Sequence, residues 1–307
     1  MLHVFDGVLA PSTSRYLHTA SSLGELGDEL HTVFLRDSPP KTAIESCLQS
    51  ILRELNDPSP CVEYWWRDEW VHVEAHEDVD EYLFESTGER RYPEHAHVLY
   101  LTVGRAIRAP TCVWDRTHEH APRSGTLGDL SIVPARTGRL LRFNGKRMHG
   151  VPRPTLRWFP LSSRNEGVSA VSSTEGSSQR PTKDDLVRSV VLFNTWAVPP
   201  LDVETADGAA DPREVIRKLA VDFSSPKIDA LVEVMETPDT HCTPRDQWHS
   251  VQIERAPAGR RAREPVKVWL LGDKERRLHP ERTIELVAHE ELARALQEEV
   301  AVTSLGV

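Results

Sequence analysis

Residues 61–197 are predicted to form a mainly β core, a sandwich or barrel, flanked by helices in an α+β chain. Three observations predict it. The apolar period switches from helical to two at Cys61 and keeps that value to Trp196; the strand-like runs in this span are short; and the segments between them are rich in Gly, Pro, Ser and charge. With 307 residues, 39% hydrophobic and 27% charged, the chain can bury a core of its own, as one large domain or two small ones.

Residues 1–60 are expected to be a mostly helical flank. Ile44, Leu48, Ile51, Leu52 and Leu55 recur at helical spacing, with Pro39-Pro40 supplying a start and Asn56-Asp57-Pro58-Ser59-Pro60 a stop. Expected strands follow at Val62–Arg67, Trp70–His76, His97–Val103, Thr111–Trp114, Leu140–Phe143, Met148–Val151 and Arg188–Trp196. Residues 84–96, 115–138 and 161–185 are expected to be loops, the last of them Ser-rich and mobile. Residues 198–307 are expected to be a C-terminal α/β extension packed on the same domain, with helices over Pro212–Ala220 and His289–Val300 and a strand over Val266–Leu271.

Composition closes off several classes of function. No apolar run approaches the ~20 residues needed to cross a bilayer, and the start lacks a basic segment followed by an apolar one, so a cytoplasmic location is expected. Cys47, Cys61, Cys112 and Cys242 lie far apart with no CxxC pair, against a zinc ribbon or a disulfide scaffold. The net charge of −10 disfavours nucleic acid. Between Leu101 and Pro160, however, eleven Arg or Lys face three Asp or Glu, a cationic stretch that either pairs with surface acids or attracts an anionic ligand. No serine lies in a GxSxG context, which removes a serine hydrolase.

The chemistry concentrates in Trp70-Val71-His72-Val73-Glu74-Ala75-His76-Glu77-Asp78. On an extended strand, Val71, Val73 and Ala75 share one face while His72, Glu74, His76 and Asp78 share the other. His76 and Asp78 can therefore reach one ion. A His and a carboxylate from one strand plus a His from another form the facial arrangement that suits non-haem iron(II), because half of the coordination shell stays open. His149, which opens a short strand after the turn at Asn144-Gly145, is the best second histidine. Its rivals are His72, His95, His97 and the pair His118-x-His120, and Asp80 is the substitute carboxylate. A bidentate 2-oxo acid also needs a cation for its far carboxylate. Arg188, at the entrance of an apolar strand, suits that role, and Arg157 is its rival. Trp65, Trp66 and Trp70 fit core packing better than a substrate platform, although Trp65 faces opposite to Tyr64 and Trp66, so one of these faces can border a cleft.

The ordered series His76-x-Asp78, His97-Val98-Leu99-Tyr100-Leu101, Pro110-Thr111, Leu141-Arg142-Phe143-Asn144-Gly145, His149-Gly150-Val151 and Arg188 through Asn194-Thr195-Trp196 resembles the Fe(II)/2-oxoglutarate dioxygenase family, prolyl-4-hydroxylase-like branch, over about residues 60–197. The resemblance implies a double-stranded β-helix (jelly-roll or cupin-like) with helices outside its larger sheet. It also implies Fe(2+), O2 and 2-oxoglutarate as a co-substrate released as succinate and CO2, with ascorbate as an accessory reductant. Tyr100 would lie near the 2-oxoglutarate. The carboxylate at Asp78 favours hydroxylation, since halogenating relatives carry a small residue there. Two positions depart from the family pattern: the gap from His149 to Arg188 is long, and Val190 stands where many members carry Ser or Thr. The implied substrate is a peptide, prolyl-like, or a small molecule, and the basic stretch permits an anionic one. The alternative is a cupin-like protein that binds a metal or small ligand without turnover.

Overall fold

The structure is a computed structural model that describes residues 1–22, 31–105, 107, 109–115, 129–151 and 184–205, with short stretches at 241–242, 249–250, 254–255, 266–269, 283–287, 298–299 and 301–304. Its strands are β1 (Leu2–Asp6), β2 (Thr32–Leu35), β3 (Cys61–Arg67), β4 (Val73–His76), β5 (His95–Val103), β6 (Thr111–Trp114), β7 (Leu130–Val133), β8 (Leu140–Asn144), β9 (His149–Val151) and β10 (Arg188–Trp196), followed by β11 (His241–Cys242), β12 (His249–Ser250), β13 (Glu254–Arg255), β14 (Val266–Trp269), β15 (Thr283–Val287) and β16 (Val302–Ser304). The helices are α1 (Pro11–Ser22), α2 (Ala43–Glu54) and α3 (Glu81–Thr87).

Strand order establishes the architecture. The larger sheet runs β11-β1-β8-β5-β10-β3-β2 and the smaller β12-β16-β7-β6-β9-β4. From β3 to β10 the chain passes repeatedly between the two, with only the β6–β7 hairpin staying in one sheet. The inner four strands β8-β5-β10-β3 oppose β7-β6-β9-β4, and every pairing among them is antiparallel. That is a double-stranded β-helix, whose inward and outward residues alternate along each strand.

Alternation sorts the core into two layers. Ala96, Val98, Tyr100, Val113, Val133, Leu141, Phe143 and Val190 fill the space between the sheets. Leu99, Leu101, Val62, Tyr64, Trp66, Val191 and Phe193 point the other way and meet Leu17 of α1 and Ile44, Leu48, Ile51 and Leu52 of α2. The helices thus cover the outer face of the larger sheet, as expected. α2 starts at Thr42, whose hydroxyl accepts from Glu45 N at 3.0 Å while Glu45 accepts from Lys41 N at 2.6 Å. This capping arrangement, Thr-x-x-Glu, places the start more closely than Pro39-Pro40 does. Cys47 and Cys112 are buried in the core, and burial pushes both thiols up to about 12, so they act as packing atoms rather than nucleophiles.

Several expectations are corrected. Residues 1–60 are not mostly helical: β1 pairs with β8 and β2 with β3, widening the larger sheet at two edges. Residues 84–87 belong to α3, residues 95–96 to β5 and residues 130–133 to β7, within spans expected to be loops. The strand expected over Trp70–His76 spans only Val73–His76. In the C-terminal stretch, β11 pairs with β1 and β16 with β7, while β13, β14 and β15 form a separate three-stranded sheet. The helices expected over Pro212–Ala220 and His289–Val300 and the Ser-rich loop lie outside the described residues, apart from a turn at 298–299 and residues 184–185. No helix of the described residues is long and apolar enough to cross a membrane.

Three arginines of the cationic middle close on acids. Arg139 donates to Asp6 at 2.6 Å and Arg136 reaches Asp6 and Glu299 at 3.4 Å. Arg142 reaches Asp57 at 2.6 Å on the outer face of the larger sheet. Burial opposes ionisation of Asp57, but hydrogen bonds from His95 and Ser59 and the Arg142 charge outweigh it and hold the carboxyl below its usual range. Its stabilising contribution is therefore present at neutral pH and lost as pH falls below the ordinary carboxylate value. Asp57→Ala leaves the half-buried Arg142 without its acid, and a loss of about 1–3 kcal/mol is expected in urea unfolding. A loss too small to resolve would show that this network adds nothing to stability.

Candidate metal centre

β4 and β9 are neighbours in the smaller sheet, with His76 directly opposite His149. Asp78 follows two residues beyond His76, just past the end of β4. One ligand atom from each of the three residues falls within 4.8 Å of the others, the one such group of three or more His, Cys, Asp or Glu among the described residues. His76 Nε2 is 3.5 Å from Asp78 Oδ1, and His149 Nε2 is 3.6 Å from Asp78 Oδ2. The two imidazoles lie 4.3 Å apart, tilted by 49°. A register irregularity between Val73 and His76 interrupts strict alternation.

The side chains around this cluster fix its chemistry. His149 Nδ1 lies 3.1 Å from Arg147 O, and since a carbonyl only accepts, Nδ1 carries the hydrogen and Nε2 keeps its lone pair. Burial pulls His149 down to about 4; the Asp78 charge opposes this and His76 adds to it. The imidazole is thus neutral at neutral pH, the form that binds a metal. Burial raises the Asp78 carboxyl, but His149, His76 and a hydrogen bond from Asn194 more than reverse that, so it is ionised. Asn194, buried on β10, must use its amide nitrogen for this bond, and its Oδ1 has no partner.

Gly150 sits between His149 and Val151 on β9. A Cβ there would stand 2.9 Å from Val73 O and 3.1 Å from Ala75 N, forcing β9 away from β4. Gly150→Ala is expected to weaken metal binding by about tenfold or more while leaving every ligand in place, since supporting groups are worth 10–100-fold. Isothermal calorimetry with Mn(II) checks this, and an unchanged affinity would show that the strand spacing does not set the site.

Arg188 enters the interior at the start of β10 and is buried. It donates from Nε to Ala109 O at 3.0 Å and from Nη2 to Thr111 Oγ1 at 3.1 Å, and its guanidinium lies 5.3 Å from the Tyr100 ring centroid. Tyr100 OH shares a 2.7 Å hydrogen bond with Thr111 Oγ1. Burial depresses the guanidinium pKa, and Arg188 makes no ion pair with a carboxylate among the described residues. A buried cation held only by neutral groups is suited to an incoming anion. Thr111 thus lies between Arg188 and Tyr100, with the fully buried Val190 opposite Tyr100 on the neighbouring strand.

The other sequence candidates are elsewhere. Asp80 is not a ligand of this cluster: it caps α3 by accepting from Leu83 N at 3.0 Å, and it also pairs with Arg91 and accepts from Leu201 N. His72 bonds Val151 O, His95 bonds Asp57, and His97 packs on Phe193 on the outer face of the larger sheet. His118, His120 and Arg157 lie outside the described residues. Asn194, Thr111 and Gly150 stand within the motif series, and the structure gives each a role that the sequence does not assign.

No family model matches the chain. No curated protein matches it. Among solved structures it is similar to HygX from Streptomyces hygroscopicus with iron bound, at 16% identity and a TM-score of 0.36, over 68% of this chain and 89% of that one. HygX with nickel, 2-oxoglutarate and hygromycin B bound gives 15% identity and a TM-score of 0.37 over 68% and 90%. A Pseudomonas putida prolyl-4-hydroxylase gives 12% identity and a TM-score of 0.36 over 64% and 88%. Likenesses of this size transfer neither activity nor substrate.

Proposed function

We propose that this chain is an Fe(II)/2-oxoglutarate-dependent dioxygenase that hydroxylates a C–H bond of a peptide, prolyl-like, or of a small molecule. The observation that carries the reading is the presence, inside one double-stranded β-helix, of a His-Asp-His cluster together with a buried arginine that has no carboxylate partner among the described residues. Two imidazoles and one ionised carboxylate, with no thiolate, match what ferrous iron accepts when it keeps positions open for other ligands. When bound, iron would supply the oxygen chemistry, linking decarboxylation of 2-oxoglutarate to succinate with oxidation of the substrate.

The protein's own residues then have distinct tasks. His76, Asp78 and His149 hold the ion. Arg147 O fixes the His149 tautomer, and Asn194 restrains the carboxylate of Asp78. Arg188 receives the distal carboxylate of 2-oxoglutarate, with Thr111 and Tyr100 setting the guanidinium orientation. Val190 and the apolar residues between the sheets exclude water from that end, which strengthens each charge-assisted hydrogen bond.

Succinate release from 2-oxoglutarate, measured aerobically with added ferrous iron, tests the reading. Slow turnover without any substrate is expected in the native protein and none in His149→Ala. Absence of succinate from a protein that binds both iron and 2-oxoglutarate would instead favour the non-catalytic binding barrel.

A further inference from the structure

We infer that Arg67 is the anchor for an anionic group on the primary substrate, so that the substrate class is carboxylate-, phosphate- or sulfate-bearing. The inference rests on the dioxygenase reading above. Arg67 ends β3 directly opposite Val190, whose side chain belongs to the layer between the sheets. Residues paired across neighbouring antiparallel strands point to the same face, so Arg67 faces inward with Val190.

Its charge has no acid beside it among the described residues. Arg36, Arg90, Arg91, Arg139 and Arg142 each approach a carboxylate. Arg67 has no hydrogen bond or ion pair to a described residue, and its Nε is buried without a partner. Val190 lies opposite Arg67 on one side and Tyr100 on the other, so Arg67 shares the inward face of the larger sheet with the residues around Arg188. Arg188 is buried and Arg67 half-buried, so Arg67 is an inward cation that an incoming molecule can reach. With Arg188 assigned to 2-oxoglutarate, Arg67 is left for the molecule that is oxidised. On the same face of β3, Trp65 stacks on His31 at 4.2 Å, and Glu63 holds His31 at 2.6 Å. Trp65 and Glu63 are thus already engaged with His31, which leaves Arg67 as the unpaired group among the described residues at this end of β3.

The test uses the full chain loaded with Ni(II) and 2-oxoglutarate, titrated with sulfate, phosphate or acetate and followed by tryptophan fluorescence. Saturable binding of at least one of these anions is expected in the native protein, weakened about tenfold or more in Arg67→Gln and kept in Arg67→Lys, with 2-oxoglutarate affinity unchanged. Sulfate should also shield Arg67 from phenylglyoxal in the native protein, read by peptide mass, a result that needs no variant. Equal anion binding by Arg67→Gln overturns the proposal. So does a loss of 2-oxoglutarate binding in that variant, which would give Arg67 to the co-substrate. A protein that takes up neither nickel nor 2-oxoglutarate sinks the dioxygenase reading instead, and the same sulfate titration on the metal-free chain then decides the role of Arg67.

Discussion

Asp78→Ala is expected to abolish ferrous-ion binding, with a loss of well over about a hundredfold, beyond the 10–100-fold cost of removing a supporting group. The reason is geometric and electrostatic together. Asp78 is the group common to both contacts in the cluster, 3.5 Å from His76 and 3.6 Å from His149. It is also the sole anion of the three. Its removal leaves two tilted imidazoles with no charge to offset that of the metal, and it strands the Asn194 amide in a buried position. Asp78→Asn should behave nearly as badly, because an amide keeps the shape and loses the charge. Calorimetric titration with Mn(II) in place of the air-sensitive ion checks both variants, and retention of native affinity by either would remove Asp78 from the site.

Arg188→Met gives the second large effect, and its sign differs between binding and stability. Two charge-assisted hydrogen bonds to a carboxylate, each worth about 1.5–3 kcal/mol, should vanish, raising the Kd for 2-oxoglutarate by roughly two orders of magnitude or more. Metal binding should persist, since Arg188 belongs to β10 and no ligand does. The free protein should melt no lower than the native one. Arg188 is a desolvated cation without an acid, and replacing it by an apolar side chain of similar length removes that burden. A variant that binds 2-oxoglutarate normally would point to Arg157 or another cation. A variant that unfolds would make Arg188 a structural residue.

The parts of this site that were legible in the sequence are those set by alternation. Period two put His76 and Asp78 on one face, and the motif order singled out His149, Tyr100 and Arg188. The structure brings His76, Asp78 and His149 together, though by a less regular route. β4 is only four residues long and irregular in register, and Asp78 arrives after the strand has ended. Alternation carries further information. Asn194 has the same parity as Arg188 on β10, and Arg67 the same parity as Trp65 on β3, so both were predictably inward residues.

Other features depended on partners that a single sequence does not display. Leu2-His3-Val4-Phe5-Asp6 becomes a strand because β8 offers it an edge, and Leu130–Val133 becomes one between β6 and β16. Each is an isolated short run outside the motif series, unlike Thr111–Trp114 or Leu140–Phe143, which that series singles out. Asp80 shows the opposite case. Its signals, a capping carboxylate before Glu81 and a glycine at Gly88 with φ 77°, were those of a short helix rather than of a ligand.

The most direct test of the metal assignment is a crystal structure of the protein soaked anaerobically with ferrous iron, read by anomalous scattering at the iron edge. A single strong peak is predicted, bonded at about 2.0–2.2 Å to one nitrogen of His76, one nitrogen of His149 and an oxygen of Asp78, with the rest of the shell open to water. A peak held by other side chains, or none at these three in a crystal that binds iron elsewhere, would contradict it.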